Sequence, residues 1–375
     1  MSHRWFFLVC VGVGSVFTWA HRAVAVDTRK IDAVRSKAVL DAPDFQVIDA
    51  FVRDAVAELT ETRDFASIAE LRSTIVTRAR TDSSSAAAQY RRQFFDSAAR
   101  YIVDALRKIS ELHEPGPKLV IKLNLLILVN QLHNSKLVEA ALDYVDDENM
   151  AVRYWAVMCV TDPEIAAQMN SAENRQLAER IATRLGTIVE TSSYEITELI
   201  ATFAGNIDLP QAGQLLLRLA DARITRYANW TVENEILDVE VLKALFKKAT
   251  AGGADAGAFA ARFGQLYSYA IQRYVRDAES GNFLSDGQRQ QLLTVLVDVE
   301  QLCINKLLDR RQPAIKTAVE RGDTQRLMQE HDALLGSEQA RGALMLKLGA
   351  DYGKKPDGSP RTAPLRLPAP PAPQG

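Results

Sequence analysis

Between Ile121 and Val160 the chain carries three apolar stripes at helical spacing, separated by turns of only a few residues. The segments read IKLNLLILVNQLHN, SKLVEAALDYVDDE and NMAVRYWAVMCV. In the third, Val152, Ala156 and Val160 recur every four positions beside Trp155 and Cys159, which places them on one face of an α-helix. Leu137, Ala140, Ala141 and Tyr144 do the same in the second. The acidic turn Asp146-Asp147-Glu148 is suited to cap the next helix and to face the positive end of its dipole. Turns this short fold neighbouring helices back on one another, and stacked hairpins bury a continuous core in which each contacts mainly its neighbours. The expected fold is therefore all-α: an irregular helical-repeat superhelix of antiparallel helix pairs.

Leu137, Val138, Ala141, Leu142, Asp146, Val152, Arg153 and Ala156 together resemble part of a HEAT repeat, over about one repeat from Ser135 to Val160. In that family an Asp in the turn and an Arg early in the second helix form a polar ladder between repeats. The resemblance implies that Asp146 or Asp147 and Arg153 take those roles.

Helical spacing continues on both sides. Residues 28–38 fit a short helix. Ala42-Pro43-Asp44 opens a longer one to about Leu59, and Arg63 to Arg80 forms the next. Thr81 to Ser85 is a polar break ahead of a long helix to about Leu112, striped by Phe94, Ala98, Tyr101 or Ile102, Ala105 and Ile109. Pro115-Gly116-Pro117 ends it. Asp162-Pro163 starts a further segment, followed by helices over Ala172 to Val189, Glu195 to Ala204 and Pro210 to about Tyr227. Residues 251–257 (AGGADAG) mark an internal boundary between a region 26–250 and a C-terminal region 258–350. The latter holds a long helical hairpin, about Phe259 to Glu279 and Asp286 to Arg311. Its stripes are Phe259, Phe263, Tyr267, Ala270 and Tyr274, then Leu292, Leu296, Val299, Cys303 and Leu307. Residues 351–375 are proline-rich and lack helical spacing, so a disordered or polyproline-like tail is expected. Pro368 to Pro373 resembles the segments that aromatic grooves bind.

Residues 1–25 read as a secretory signal: Arg4, an apolar run from Trp5 to Ala20, then Ala23-Val24-Ala25 as the cleavage pattern. The run is short for a spanning helix, and an uncleaved N-terminal anchor is the alternative to a cleaved signal. Cleavage near Ala25 removes Arg4 and Arg22 and takes the formal charge from -2 to -4. That balance offers no electrostatic case for a nucleic acid or an anionic membrane. No later segment is long and apolar enough to cross a bilayer, so a periplasmic or extracellular product is expected. Of three cysteines, Cys159 and Cys303 follow the leader, both on apolar helix faces. Two buried thiols explain them better than a disulfide.

The chain after the leader has no HExxH, GxSxG, P-loop or glycine-rich dinucleotide turn. His113, His133 and His331 have no second ligand at metal spacing. No catalytic, cofactor-binding or metal-binding residue is assigned, and no cofactor is implied. Tyr267, Tyr269, Arg273, Tyr274 and Arg276 form the richest aromatic–basic cluster. Tyr267 and Tyr274 belong to the core stripe, which leaves Tyr269, Arg273 and Arg276 for surface contacts. The expected function is a non-enzymatic scaffold of the bacterial cell envelope that holds another envelope protein. The alternative is an envelope enzyme, such as one acting on polysaccharide, with carboxylates in a helical cleft.

Overall fold

The structure is a computed structural model and describes residues 27–81, 85–110, 115–280, 283–309 and 312–370. The leader, most of the Thr81–Ser85 break, His113 and the last five residues lie outside them. Within the described residues the chain is all-helical. The elements are α1 (Arg29–Arg35), α2 (Ala42–Glu61), α3 (Phe65–Ala79), α4 (Ser85–Ser110), α5 (Pro115–Leu132) and α6 (Ser135–Leu142). They continue with α7 (Met150–Thr161), α8 (Pro163–Met169), α9 (Arg175–Gly186), α10 (Tyr194–Asn206), α11 (Pro210–Ala228) and α12 (Asp238–Ala251). The chain ends with α13 (Ala256–Ser280), α14 (Asp286–Val299), α15 (Asn305–Leu308), α16 (Ala314–Glu320), α17 (Thr324–Leu335) and α18 (Ala343–Leu348). Two isolated β-bridges, Gly336 with Arg341 and Lys354 with Pro360, are the extended pairings among these residues.

Local chemistry sets the ends of these helices. Asp41 and Asp44 form a reciprocal capping box at the start of α2, each carboxylate accepting the other's backbone N–H at 3.1 Å. Ile48, Phe51, Val52, Val56 and Leu59 then share its buried face. In α4 the buried stripe is Tyr90, Phe94, Ala98, Ile102, Leu106 and Ile109, so Leu106 takes the place expected of Ala105. Pro115 opens α5, where its missing N–H costs nothing.

The central stretch differs from its sequence reading in two ways. Helix α6 stops at Leu142, and the cap of α7 is Asn149, whose side chain accepts from Ala151 N and Val152 N. The acidic turn is used otherwise. Asp146 pairs with Arg184 of α9 at 2.7 Å and Asp147 with Lys122 of α5 at 2.7 Å, while Arg153 pairs with neither. The two acids do tie neighbouring helices together, but through cations that the HEAT resemblance does not supply.

Packing runs in two rows. Helices α4, α6, α9, α11 and α13 contact one another in succession, as do α3, α5, α7, α10, α12 and α14. Ion pairs join the first row at similar sequence intervals: Asp96–Lys136, Glu139–Arg180, Asp146–Arg184 and Asp221–Arg262, separated by 40, 41, 38 and 41 residues. Beside the second row, Gln168 bonds His133 O (2.9 Å), Asn170 bonds Asn206 O (3.1 Å) and Lys247 bonds Asn206 Oδ1 (2.7 Å). One apolar cluster extends from Ile31 to Leu367.

Residues 252–255 form the turn between α12 and α13, with Gly252 and Gly253 at φ +82° and +97°, and the two helices pack against each other. The proline-rich tail, expected to be disordered or polyproline-like, is laid along α13 as far as it is described. Thr362 Oγ1 donates to Ser337 O at 2.5 Å, and Pro364 and Leu367 are buried.

Helix α13 is the hub of the C-terminal part, packed by α11, α12, α14, α17 and α18. Buried Asp277 near its end accepts Leu284 N at 3.0 Å and Arg289 Nε at 2.8 Å, fixing the start of α14. The helix begun by α14 passes through a π-turn at Glu300–Ile304. There the Glu300 carboxylate accepts Ile315 N and Lys316 N, both at 2.8 Å, at the start of α16. Cys159 and Cys303 are buried and unbonded to each other, and burial pushes the Cys303 thiol up to about 12.

Candidate functional site

The densest polar chemistry in the molecule lies around α13, and it begins with a charged layer in the core. Arg223 of α11 and Asp238 of α12 form a bidentate pair at 2.7 and 3.0 Å with essentially no exposed surface. Arg223 Nη1 also donates to Glu233 O at 3.0 Å, and the Tyr227 hydroxyl donates to Asp238 at 2.7 Å. Burial is the largest single influence and lowers the arginine pKa; the Asp238 charge and hydrogen bonds, with Tyr227 and Glu235, together outweigh it, and the net shift is upward. Burial, then Asp238, drive the Tyr227 phenol well above its ordinary value.

Three residues from Asp238 a second pair is far less complete. Glu235, with no exposed surface, meets Arg273 of α13 through a single contact of 3.4 Å. Both Glu235 oxygens, and Nε and Nη1 of Arg273, lack hydrogen-bond partners. Burial pushes the Glu235 carboxyl above the usual range, and Arg273 offsets this only in part. The loop joining α11 to this pair holds Trp230 and Asn234 at positive φ (60° and 51°). Few residues other than glycine adopt that conformation without tertiary support. Support comes from Trp230 N to Tyr227 O (3.1 Å) and Thr231 N to Arg226 O (2.9 Å). The Trp230 ring faces the guanidinium groups of Arg273 at 5.2 Å and Arg276 at 5.8 Å, and meets Phe283 edge-on at 5.1 Å.

Against this surface lies the tail. Leu365 exchanges two hydrogen bonds with the Gln265 amide, its N–H donating at 2.7 Å and its carbonyl accepting at 3.1 Å. The Leu367 N–H donates to Gln272 Oε1 at 2.9 Å. Its carbonyl accepts from Arg276, and the Pro368 carbonyl accepts from Arg276 and from Trp230 Nε1, the latter at 3.1 Å. Gln265 and Arg276, roughly 16 Å apart along α13 at ~1.5 Å rise, thus hold the two ends of Leu365–Pro368, their long side chains making up the distance that four residues cannot span. Pro364 and Leu367 are buried while Leu365, Arg366 and Pro368 face solvent. A three-residue interval between buried positions is the period of a polyproline helix, not of a strand.

Below the tail the hydrogen bonds continue inward. Leu367 N–H fixes the Gln272 amide, so that Nε2 donates to Ser268 Oγ at 2.8 Å. The assignment that satisfies every group has Ser268 donating to His331 Nε2 and His331 Nδ1–H donating to Asp332, both at 2.8 Å. The His331 bond holds the Asp332 carboxyl below its ordinary value. A serine, histidine and aspartate so ordered are the groups of acyl-transfer enzymes. Here Ser268 has no exposed surface and lies beneath Gln272 and the tail, so the chain of bonds ties α13 to α17.

Two open clefts lie elsewhere. One, of about 580 Å³, runs between α11 and α13; its carboxylates Glu190 and Asp221 are paired with Arg218 at 2.9 Å and Arg262 at 3.0 Å. The other, of about 540 Å³, includes Asp323, which caps α17, and Glu330, which is paired with Arg326 at 2.5 Å.

The sequence singles out the aromatic–basic cluster, and Tyr267 and Tyr274 are buried as its core stripe predicts. Tyr269 and Arg273 are buried rather than exposed, and Arg276 is engaged by the chain's own tail. Gln265, Gln272, Trp230 and three of the four charged residues beneath them, Arg223, Glu235 and Asp238, carry no sequence signal of their own. One signal was available: Gly257 and Gly264, seven apart on α13. A Cβ on Gly264 would lie 2.2 Å from the Tyr352 hydroxyl, and one on Gly257 would lie 3.1 Å from Gly349 O. Glycines at that interval in a long helix mark where a second segment crosses closely.

His133 follows α5 and meets Asp162 at 3.2 Å, a local contact. Among the described residues no group of three or more His, Cys, Asp or Glu side chains could hold a metal ion, and no helix is long and apolar enough to cross a membrane. Compared with known proteins, the chain matches no protein-family model and no curated protein.

Proposed function

We propose that this protein is a non-enzymatic interaction scaffold of the bacterial cell envelope, exported by the signal read at residues 1–25. In this reading the two rows of helices are a HEAT-like superhelix of antiparallel pairs, extending well beyond the 135–160 stretch that resembles the family. The single observation that carries it is the recurrence of inter-helix ion pairs at intervals near 40 residues along one row. A period of that size is what a stacked two-helix unit requires. A row of such units presents an extended surface on which another protein can lie. The carboxylates of both open clefts are already tied to arginines or a helix start, so the enzyme alternative gains no specific support from them.

In-cell cross-linking of the full chain, followed by mapping of the cross-linked peptides, tests this. The expected result is one recurrent envelope protein joined to exposed positions on successive helices of a single row. Retention in the cytoplasm, or cross-links scattered over the surface without a recurrent partner, would sink the reading.

A further inference from the structure

We infer that the groove along α13 is a binding site for extended, proline-containing peptide segments of another protein, and that residues 363–370 are its built-in occupant. The inference rests on the scaffold reading and gives that scaffold a specific ligand.

Most of the contacts recognise a main chain. Gln265 reads both the N–H and the carbonyl of Leu365, Gln272 reads the Leu367 N–H, and Arg276 with Trp230 takes the next two carbonyls. Such contacts specify an extended backbone and leave most side chains free. Specificity comes from two buried positions three residues apart, filled by Pro364 and Leu367, and from Pro368, which has no N–H to satisfy. The ligand pattern is therefore Pro-x-x-Leu-Pro in an extended conformation. Tryptophan donating to a peptide carbonyl beside a proline is the general chemistry by which aromatic grooves hold polyproline segments.

The occupant is also built to leave. Beyond Arg361 N, bonded to Gly353 O at 2.8 Å, residues 362–370 make no backbone-to-backbone hydrogen bond among the described residues. The segment is tethered upstream, at Tyr352 against Gly264 of α13 and at Thr362, so its release breaks side-chain hydrogen bonds and uncovers Pro364 and Leu367 but opens no backbone ladder. As a tethered ligand it competes at an effective concentration on the order of millimolar. A free peptide therefore meets a closed groove until the strap is displaced.

The test uses the full chain and a fluorescent peptide of sequence TAPLRLPAP, the strap itself, read by polarisation. Leu367→Asp in the chain should release the strap and raise peptide affinity at least about tenfold over the wild type. Adding Gln265→Ala to that variant should lower it about tenfold, the equivalent of one hydrogen bond at ~1.4 kcal/mol. A peptide with its second leucine changed to aspartate should not bind. Leu367→Ala serves the same comparison if the aspartate variant does not fold. A folded, strap-released chain that fails to bind, or binds regardless of Gln265, overturns the site. Equal, Gln265-dependent binding by the wild type overturns the strap as occupant. Self-association of the released chain that the peptide reverses would overturn the assignment to another protein in favour of a second copy. Peptide failure alongside a recurrent cross-linked partner would remove the groove and leave the scaffold reading standing.

Discussion

Two buried arginine–carboxylate pairs, whose carboxylates Glu235 and Asp238 are three residues apart, are built to opposite standards. Arg223–Asp238 is bidentate, with a tyrosine and a backbone carbonyl completing it. Arg273–Glu235 has one contact of 3.4 Å and four polar atoms without partners. Desolvation acts on both, but only the first recovers its cost through complete hydrogen bonding. The incomplete pair is also the one that touches the groove, because Trp230 stacks on Arg273 and donates to the strap. Buried charge in this protein therefore serves two ends. One pair locks α11 to α12, and the other holds up the floor of a surface that another chain segment occupies.

The largest effect should come from breaking the complete pair. Asp238→Ala leaves Arg223 charged and buried, and should cost about 3–5 kcal/mol in urea unfolding. A loss under about 1 kcal/mol would mean that the two pairs are energetically alike. Next comes the strap. Leu367→Ala removes most of a fully buried side chain, worth roughly 2 kcal/mol. The loss should appear as faster hydrogen exchange or proteolysis at 353–370 with the unfolding midpoint of the helices unchanged. A fall in that midpoint of the same size would show the strap to be part of the cooperative core.

A smaller effect of opposite sign distinguishes the incomplete pair. The Glu235 carboxyl has a folded-state pKa above its unfolded one, so the folded state holds the proton more tightly. Its ionisation opposes folding: the penalty is absent at pH below the unfolded value and appears as pH rises through the folded value. Glu235→Gln should therefore raise the melting temperature at pH 7, with the gain fading toward pH 4. A destabilised variant at pH 7 would mean that Arg273 depends on the charge more than the geometry indicates. Smallest is the exposed pair Asp146–Arg184, where Arg184→Ala should cost about 0.2–1 kcal/mol, less at high salt.

Much of the helical layout was legible because it rests on local chemistry. The Asp41–Asp44 box, the Ile48–Leu59 stripe and the turn at Gly252-Gly253 all act within a few residues of themselves. The tail has neither helical nor strand periodicity, so its sequence leaves a disordered and a polyproline-like segment equally open. Its period of three, Pro364 to Leu367, needs a partner surface before it means anything. Arg223, Glu235 and Asp238 give no signal, and Arg273 reads as a surface group, because isolated charges on a helix are almost always solvated. Nothing in their immediate sequence distinguishes Arg223 from Arg218, yet one is buried and the other half exposed.

What the sequence by itself determined is which residues become helix and which face of each helix turns inward. Backbone hydrogen bonding and the 3.6-residue repeat are settled within a turn or two of chain. What only the tertiary structure decided is which helices stack into rows, which cations answer which acids some 40 residues away, and that the proline-rich tail has a place to lie. Those outcomes depend on groups far apart in the chain. Burial turns a charge from a surface ornament into a structural demand only after distant helices have closed over it.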